Sequence, residues 1–258
     1  MSRTLRAEAQ AITDVGHMRE HNEDFFGSFP EEGLYVVADG MGGHSSGDRA
    51  SKLAVEMLRD FFHETKQDPA KPWPFKMDRA RTYEENRLST GIRIANRRIF
   101  DDAEKNMHYR GMGTTIVALS VTGDRAQIAH VGDSRVYRLR DSALELLTRD
   151  HSLINDYLRA KPDLTEEELA ELPKNVITRA LGMRDDLEVE VRSEELRAGD
   201  LYLLCTDGLH GLVEDEVIAG ILRAVPTLPE LKEKLMEAAL QGGGTDNVTL
   251  LLVRLSAA

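Results

Sequence analysis

Two long segments in the first half of the chain carry apolar residues at helical spacing. In the first, which starts after Ser46-Gly47, the apolar positions follow the i, i+3, i+4, i+7 pattern of one buried helix face. They are Ala50, Leu53, Ala54, Met57, Leu58 and Phe61. The second set is Leu88, Ile92, Ala95, Ile99 and Ala103. Three prolines within 68–74 interrupt any regular element, so we expect a loop between two amphipathic helices.

The middle of the chain changes to the patterns of β-strands. Residues 115–121 form an apolar run, residues 125–131 alternate polar and apolar positions, and residues 136–139 begin a third strand. Turn-forming residues separate them at 122–124 and 132–135. Consecutive hairpins of this kind predict an antiparallel sheet.

The segment between Asp150 and Gly182 is polar and helical in pattern. Thr165 and Glu168 have the spacing of a capping box, and we interpret the segment as a small appended lobe. Two further helices are predicted at 214–223 and 228–241, before a last strand. Separate runs of strands and helices indicate an α+β fold in which helices cover the outer faces of packed sheets.

Size and composition restrict the class of protein. The chain has 258 residues, 41% hydrophobic and 30% charged, which suits one large domain or two small ones. Lys plus Arg number 33 and Asp plus Glu number 45, for a net charge of −12. A surface this acidic argues against nucleic acid or an anionic membrane as the main partner.

Several features indicate a cytoplasmic protein. Cys205 is the single cysteine, so no internal disulfide forms, which fits a reducing compartment. The first eight residues lack the apolar core of a signal peptide. The longest strongly apolar stretch, 248–253, is too short to span a bilayer.

Four short acidic islands carry the candidate chemistry. They are Asn22-Glu23-Asp24, the segment from Asp39 to His44, Asp207-Gly208 and Asp246-Asn247. Three of them adjoin strand-like apolar runs. A carboxylate at the mouth of a buried strand is costly unless something neutralises it, so the islands suggest one shared cation site with oxygen ligands.

Carboxylates without histidine or cysteine partners select hard cations such as Mg²⁺ or Mn²⁺. Two such ions roughly 3.5–4 Å apart can hold a bridging water, lower its pKa and neutralise a phosphoryl oxygen. The natural reaction is hydrolysis of a phosphoester without a covalent intermediate. Arg19, five residues before Asp24, is the candidate that grips the phosphate. Gly40, Gly42 and Gly43 permit close approach of backbone carbonyls to a metal.

Six short motifs follow one another along the chain in a fixed order. The set is Gly16-x-x-Arg19-x-x-Asn22-Glu23-Asp24, Val37-Ala38-Asp39-Gly40-Met41-Gly42-Gly43, Gly113-Thr114-Thr115, Val131-Gly132-Asp133-Ser134-Arg135, Thr206-Asp207-Gly208 and Asp246-Asn247-Val248-Thr249. In this order, the motifs resemble those of the metal-dependent serine/threonine protein phosphatases of type 2C, in their bacterial form. The resemblance extends from about Ala11 to Arg254.

The resemblance implies a four-layer α-β-β-α sandwich, with one catalytic domain over 1–258 and the metals in a cleft at one end. It implies that Asp39 bridges two tightly bound Mn²⁺ or Mg²⁺ ions and that Gly40 offers its carbonyl to one of them. Asp207 and Asp246 bind the other. Asp133 joins Asp207 at a weaker third site.

The resemblance also assigns roles to residues beside the metals. Glu23 and Asp24 act through metal-bound waters, and Arg19 holds the substrate phosphate. The polar segment at about 152–181 corresponds to the flap, which lies beside the cleft and influences the choice of substrate. The implied activity is hydrolysis of phosphoserine and phosphothreonine in proteins, with a partner Ser/Thr kinase or its targets as substrates. Separately from the resemblance, we expect a monomer.

The general acid stays unassigned. Many eukaryotic relatives carry a histidine directly after the Asp-Gly pair, proposed to protonate the leaving alkoxide. Met41 occupies that position here, and His44, three residues on, does not inherit the role.

Two other classes remain as alternatives. His17-Met18-Arg19-Glu20-His21 matches the H-x-x-E-H pattern of a zinc hydrolase, which requires a helix that presents both histidines on one face. A phosphatase-like binding module without catalysis is the second alternative, although such modules typically lose metal carboxylates that this chain keeps. Zinc activation with peptide cleavage would indicate the first class, and no phosphate release with manganese would indicate the second.

Overall fold

The computed structural model of the protein describes residues 5–43, 46–165, 168–169, 172–173 and 176–257. The strands in chain order are β1 (Leu5–Asp14), β2 (Asp24–Phe29), β3 (Leu34–Met41), β4 (Gly113–Thr114), β5 (Ile116–Thr122), β6 (Arg125–Val131), β7 (Arg135–Arg140), β8 (Ala143–Leu146), β9 (Glu190–Glu195), β10 (Leu201–Cys205) and β11 (Val248–Ala257). The helices are α1 (Gly47–Gln67), α2 (Tyr83–Lys105), α3 (Leu153–Ala160), α4 (Asp207–His210), α5 (Asp215–Ala224) and α6 (Leu228–Gln241).

The strands form two antiparallel sheets. The first has five strands in the order β1-β11-β10-β7-β8. The second has the order β2-β3-β5-β6-β9, and β4 pairs with β3. The predicted hairpin β5-β6 pairs Ile116 with Val131 and Thr122 with Arg125, as the turn at 123–124 requires.

Helices cover the outer face of each sheet, so the molecule has four layers. In β3, Val36 and Ala38 pack under α1 and α2, whereas Tyr35 and Val37 point into the core between the sheets. The same alternation in β11 directs Leu250 and Leu252 toward α5 and α6. Successive strand residues point to opposite faces of a sheet. A strand that is apolar on both faces therefore lies between two apolar layers, one against the helices and one between the two sheets. The α-β-β-α arrangement confirms the predicted α+β fold.

The predicted helices agree closely with the structure. The first begins at Gly47, and the 228–241 helix has the predicted bounds. In the second helix, all five residues of the predicted face are buried. The Thr165 hydroxyl accepts the Glu168 N–H at 3.2 Å, and the Glu168 carboxylate accepts the Thr165 N–H at 2.9 Å, which is the predicted capping box.

Some elements were missed and some predictions lie outside the described residues. The sequence patterns did not predict the strands β1, β2, β4, β8 and β9 or the short helix α4. In β1 the residues that alternate toward the core include Ala7, Ala9 and Ala11, whose small side chains give a weak periodic signal. His44, Glu166, Glu167 and Asn175 lie outside the described residues. No helix in the described part of the chain has the length and apolar character needed to cross a membrane.

Candidate metal centre

The acidic residues meet because four strand ends lie at the same end of the sandwich. Asp24 begins β2 and is paired in register with Asp39 near the end of β3. In the other sheet, Asp207 follows β10, and Asp246 precedes the antiparallel strand β11. The Thr206 hydroxyl donates to Asp24 Oδ2 at 2.9 Å and thereby joins the two sheets.

A cleft of about 630 Å³ opens at this end of the sandwich. The predicted site residues that line it are Arg19, Glu23, Asp39, Gly40, Asp207 and Asp246. A second cavity of about 400 Å³ beside it is lined by Asp133, Asp207 and Asp246 among others. Asp207 and Asp246 therefore border both spaces, and Asp133 borders only the second.

Threonines hold the backbone of Asp39 and leave its carboxylate directed into the cleft. The Asp39 N–H donates to Thr115 Oγ1 at 3.1 Å, and its carbonyl accepts from Thr114 Oγ1 at 2.8 Å. Burial, followed by repulsion from Asp24 and Asp207, raises the pKa of Asp39 well above its ordinary value. The threonine contacts were not foreseen, although the Gly-Thr-Thr motif marked their position.

Asp24 lies deeper than the other carboxylates, with 6% of its surface exposed. Burial raises its pKa to about 7, although hydrogen bonds from Thr249 and Thr206 oppose the rise. Burial and repulsion from Asp207 likewise raise the pKa of Asp133 to about 7. These carboxyl groups are costly to ionise together in the absence of a cation.

The donor set fits a hard divalent cation. Among the described residues, Oδ1 of Asp24, of Asp133 and of Asp207 is buried and has no hydrogen-bond partner. Each is a carboxylate oxygen, the ligand type that Mg²⁺ and Mn²⁺ prefer. At Gly40, a Cβ would lie 2.1 Å from a backbone carbonyl oxygen of Gly47, so only glycine fits against the neighbouring chain.

Glu23 and Asn247 tie remote segments together at the edge of the cleft. The Glu23 N–H donates to Asn247 Oδ1 at 2.8 Å, while Glu23 Oε1 accepts the Gly47 N–H at 3.0 Å. Asn247 Nδ2 donates to the carbonyls of Val15 and His21 at 2.9 and 3.0 Å. Asn247 is a residue whose structural role the sequence analysis missed, although its place in the Asp246-Asn247 motif marked it.

Arg19 lies at the mouth of the cleft and forms an ion pair with Asp246. Arg19 Nη2 and Asp246 Oδ2 are 2.8 Å apart, and the two side chains are 53% and 36% exposed. The hydrogen bond with Asp246 is the main reason that the pKa of Arg19 is raised. The guanidinium is therefore beside the acidic cluster and reachable from solvent.

Asp133 is held at the second cavity by a neutral histidine. Burial lowers the pKa of His210 to about 4, so its ring is neutral near pH 7. His210 Nε2 lies 3.0 Å from the Asp133 carbonyl and donates to it. The contact fixes the backbone of Asp133 and leaves its carboxylate free.

The zinc-hydrolase alternative does not match the structure. Residues 16–18 form a turn and residues 20–21 a bend, so the segment of His17, Glu20 and His21 has no helix on which both histidines share a face. The three side chains are exposed. The H-x-x-E-H match is therefore a coincidence of sequence.

The chain is similar in sequence to known proteins over nearly its whole length. The family profile described as Protein phosphatase 2C matches residues 16–242. The serine/threonine phosphatase stp of Listeria innocua is 37% identical over 252 residues, covering 95% of this chain and 94% of that protein. Protein phosphatase PhpP of Streptococcus pneumoniae is 33% identical, covering 96% of this chain and 98% of its own length.

Solved structures resemble the whole chain. The crystal structure of the Mycobacterium tuberculosis serine/threonine phosphatase PstP/Ppp aligns with a TM-score of 0.82 and 35% identity, covering 98% of this chain and 99% of that one. The catalytic domain of PstP in complex with two manganese ions aligns with a TM-score of 0.81 and 34% identity, covering 98% and 100%.

Proposed function

The chain belongs to the protein phosphatase 2C family, and we propose that Asp39, Gly40, Asp207 and Asp246 hold its metal ions. The protein is a serine/threonine phosphatase that depends on a divalent metal and acts on phosphoproteins. The observation that carries the proposal is that acidic residues from remote segments, Asp39, Asp207 and Asp246, line one cleft, and that Oδ1 of Asp207 is buried without a hydrogen-bond partner.

We propose two tightly held ions, Mn²⁺ or Mg²⁺. Asp39 is placed between the two sheets and serves both ions, Gly40 offers its carbonyl to one, and Asp207 and Asp246 serve the other. When bound, the ions supply Lewis-acid chemistry that activates water and neutralises charge on the phosphoryl group. The 2.8 Å contact between Arg19 and Asp246 supports this arrangement, because a cation and Arg19 compete for the same carboxylate.

Arg19 binds the substrate phosphate. Its guanidinium is half exposed at the mouth of the cleft, within reach of a ligand that enters from solvent. A planar guanidinium donates two parallel hydrogen bonds to phosphate oxygens, which orients the group as well as attracting it. With Asp246 serving as a metal ligand, the Arg19 guanidinium would be free to bind the phosphate.

Glu23 and Asp24 contribute through ordered water and by holding the site together. One Glu23 oxygen is used by the Gly47 N–H, and one Asp24 oxygen is used by Thr206. Each carboxylate therefore keeps one oxygen that is able to accept a hydrogen bond from a water molecule.

Asp133 and Asp207 form a weaker third site at the second cavity. Both carboxylates have a buried oxygen without a partner. Burial raises the pKa of each, and repulsion from Asp207 adds to the rise in the pKa of Asp133. A cation between them relieves that repulsion. This third ion is bound more weakly because fewer protein ligands surround it than surround the two tightly held ions.

We propose one catalytic domain over 1–258, with a flap at about 152–181 that includes α3. We further propose that the substrates are a Ser/Thr kinase or its targets. The single, buried Cys205 supports a reducing, cytoplasmic setting. The large exposed apolar side chains lie on separate elements, which supports a monomer.

A manganese-dependent dephosphorylation assay tests the proposal. Phosphoserine, phosphothreonine and phosphotyrosine peptides are compared with and without Mn²⁺, with a chelator as control. We expect phosphate release from the first two peptides only, and only with the metal. An inactive binding module would release no phosphate under any of these conditions.

A further inference from the structure

A buried cluster of two histidines and a glutamate lies between the core and the flap. His130 near the end of β6 and His151 before α3 stack with their ring centroids 4.8 Å apart. Glu190, the first residue of β9, lies 3.1 Å from His151 Nε2 and 3.9 Å from His130 Nε2. Both histidines are nearly inaccessible, with 5% and 4% of their surfaces exposed. Histidine and glutamate are residue types that bind zinc. Whether this cluster can bind a metal depends on which ring nitrogens carry protons.

The hydrogen bonds commit the ring protons in a way that disfavours a metal. His151 Nδ1 accepts the Gly132 N–H at 3.1 Å, so the proton of the neutral ring is on Nε2, which donates to Glu190. His130 Nε2 donates to the Arg149 carbonyl at 2.8 Å. A metal-binding histidine normally donates from its other nitrogen, whereas His151 accepts there. The guanidinium of Arg179 lies 3.7 Å from Glu190, and its positive charge beside the cluster further disfavours a metal cation there.

The His151 ring instead fixes the peptide that precedes Asp133. Gly132 is buried, with φ of +105°, and a Cβ on it would lie 2.6 Å from the Thr115 side chain, so this turn requires glycine. Its N–H donates to His151 Nδ1, and its carbonyl accepts the His151 N–H at 2.9 Å. His151 thus forms hydrogen bonds with both the N–H and the carbonyl of Gly132. These bonds fix the orientation of the peptide that precedes Asp133.

The backbone of His151 is also hydrogen-bonded to the end of the flap. The His151 carbonyl accepts the Thr178 N–H at 2.8 Å, and Ser152 forms a bridge with Ile177. Glu190 ensures that the Nε2 nitrogen carries the ring proton, which leaves Nδ1 as the acceptor that Gly132 needs.

We propose that His151, oriented by Glu190, is a positioning residue that holds Asp133 in place for the weaker metal ion and links this site to the flap. The inference rests on the role of Asp133 in the proposed function. Without the His151 acceptor, the buried Gly132 N–H loses its partner, and the turn moves to recover one. We expect about tenfold weaker binding at the weaker site.

The test compares His151→Ala with His151→Asn. The Asn side chain places an acceptor oxygen near the position of Nδ1, whereas Ala has none. For each variant, the Mn²⁺ concentration for half-maximal phosphate release is measured, and the number and affinity of bound ions are measured by calorimetry. Asp133→Ala serves as the reference for a lost third site. His63→Ala is the matched control, because His63 pairs with Glu32 at 3.1 Å on the surface.

We expect His151→Ala to shift the Mn²⁺ dependence about tenfold, as Asp133→Ala does, with the tight ions unchanged. His151→Asn and His63→Ala should stay within about twofold of the unaltered protein. An unshifted His151→Ala beside a shifted Asp133→Ala overturns the inference, and so does an equal shift in His151→Asn. No shift in Asp133→Ala instead removes the third site itself. If His151→Ala does not fold, Glu190→Ala decides: a shift in the same direction supports the inference, and none overturns it.

Discussion

Asp24 offers a sharp test of the claim that the metal-free site is electrostatically strained. Its carboxyl group is 6% exposed and its pKa is raised from 3.8 to about 7, chiefly by burial. Below 3.8 the group is protonated in the folded and unfolded chain alike. As the pH rises toward 7, the unfolded chain loses the proton and the folded chain retains it, so folding stability declines over this interval. At about 1.36 kcal/mol per pKa unit, the loss amounts to about 4 kcal/mol by pH 8.

The substitution Asp24→Asn removes this penalty and keeps the shape of the side chain. The Asn oxygen still accepts from Thr206, and the NH₂ group replaces the carboxylate oxygen that has no partner. In the presence of a chelator at pH 8, we expect the variant to melt roughly 10 °C above the unaltered protein. At pH 4 the two should melt at nearly the same temperature, because Asp24 is then mostly protonated in the folded protein.

Differential scanning calorimetry at several pH values, with chelator and with Mn²⁺, measures the effect. Comparison at each pH cancels the opposing contribution of buried histidines such as His210, whose lowered pKa makes stability fall as the pH drops from 6.5 to about 4. We expect Mn²⁺ to stabilise the variant less than the unaltered protein, because one negative charge of the cluster is gone. Equal melting temperatures of the two metal-free proteins at pH 8 would refute the reasoning.

Three further changes probe other parts of the site. Asp207→Asn or Asp246→Asn should lower kcat about 100-fold or more, since each removes charge from the metal centre, and near-normal turnover in both would contradict the ligand assignment. Arg19→Ala should raise KM for a phosphopeptide about tenfold and leave calorimetric binding of the tight ions intact; loss of those ions would show that its role is different. Gly40→Ala should abolish activity and lower the melting temperature, because its Cβ would lie 2.1 Å from a carbonyl oxygen, whereas Gly220→Ala, with open space around it, should be neutral or stabilising.

Most of the architecture was predictable from local pattern. The 3.6-residue period in α1 and α2 and the hairpins from β5 to β7 are written in consecutive residues, so these elements and the α+β class could be inferred from the residues alone. The four-layer α-β-β-α order was an implication of the family resemblance. The elements that were missed are short or have weak, irregular patterns, as the small alanines of β1 illustrate.

The candidate ligands were also predictable, because carboxylates beside apolar strands need a reason to be there. The residues that hold those ligands were not. Thr206 reaches Asp24 across the two sheets, Asn247 receives the N–H of Glu23, and His151 accepts from Gly132. Threonine, asparagine and histidine occur in every kind of environment, so their type alone did not single them out.

The sequence by itself determined the α+β class, the positions of the main amphipathic helices and the oxygen-rich chemistry of the site, because periodicity and residue type are local properties. The tertiary structure alone decided which hydrogen bonds fix each carboxylate and that Arg19 pairs with Asp246. It also decided that the cluster of His130, His151 and Glu190 has its ring protons committed to hydrogen bonds. These contacts join residues that are remote in sequence, and their geometry depends on strand register and on how the two sheets pack.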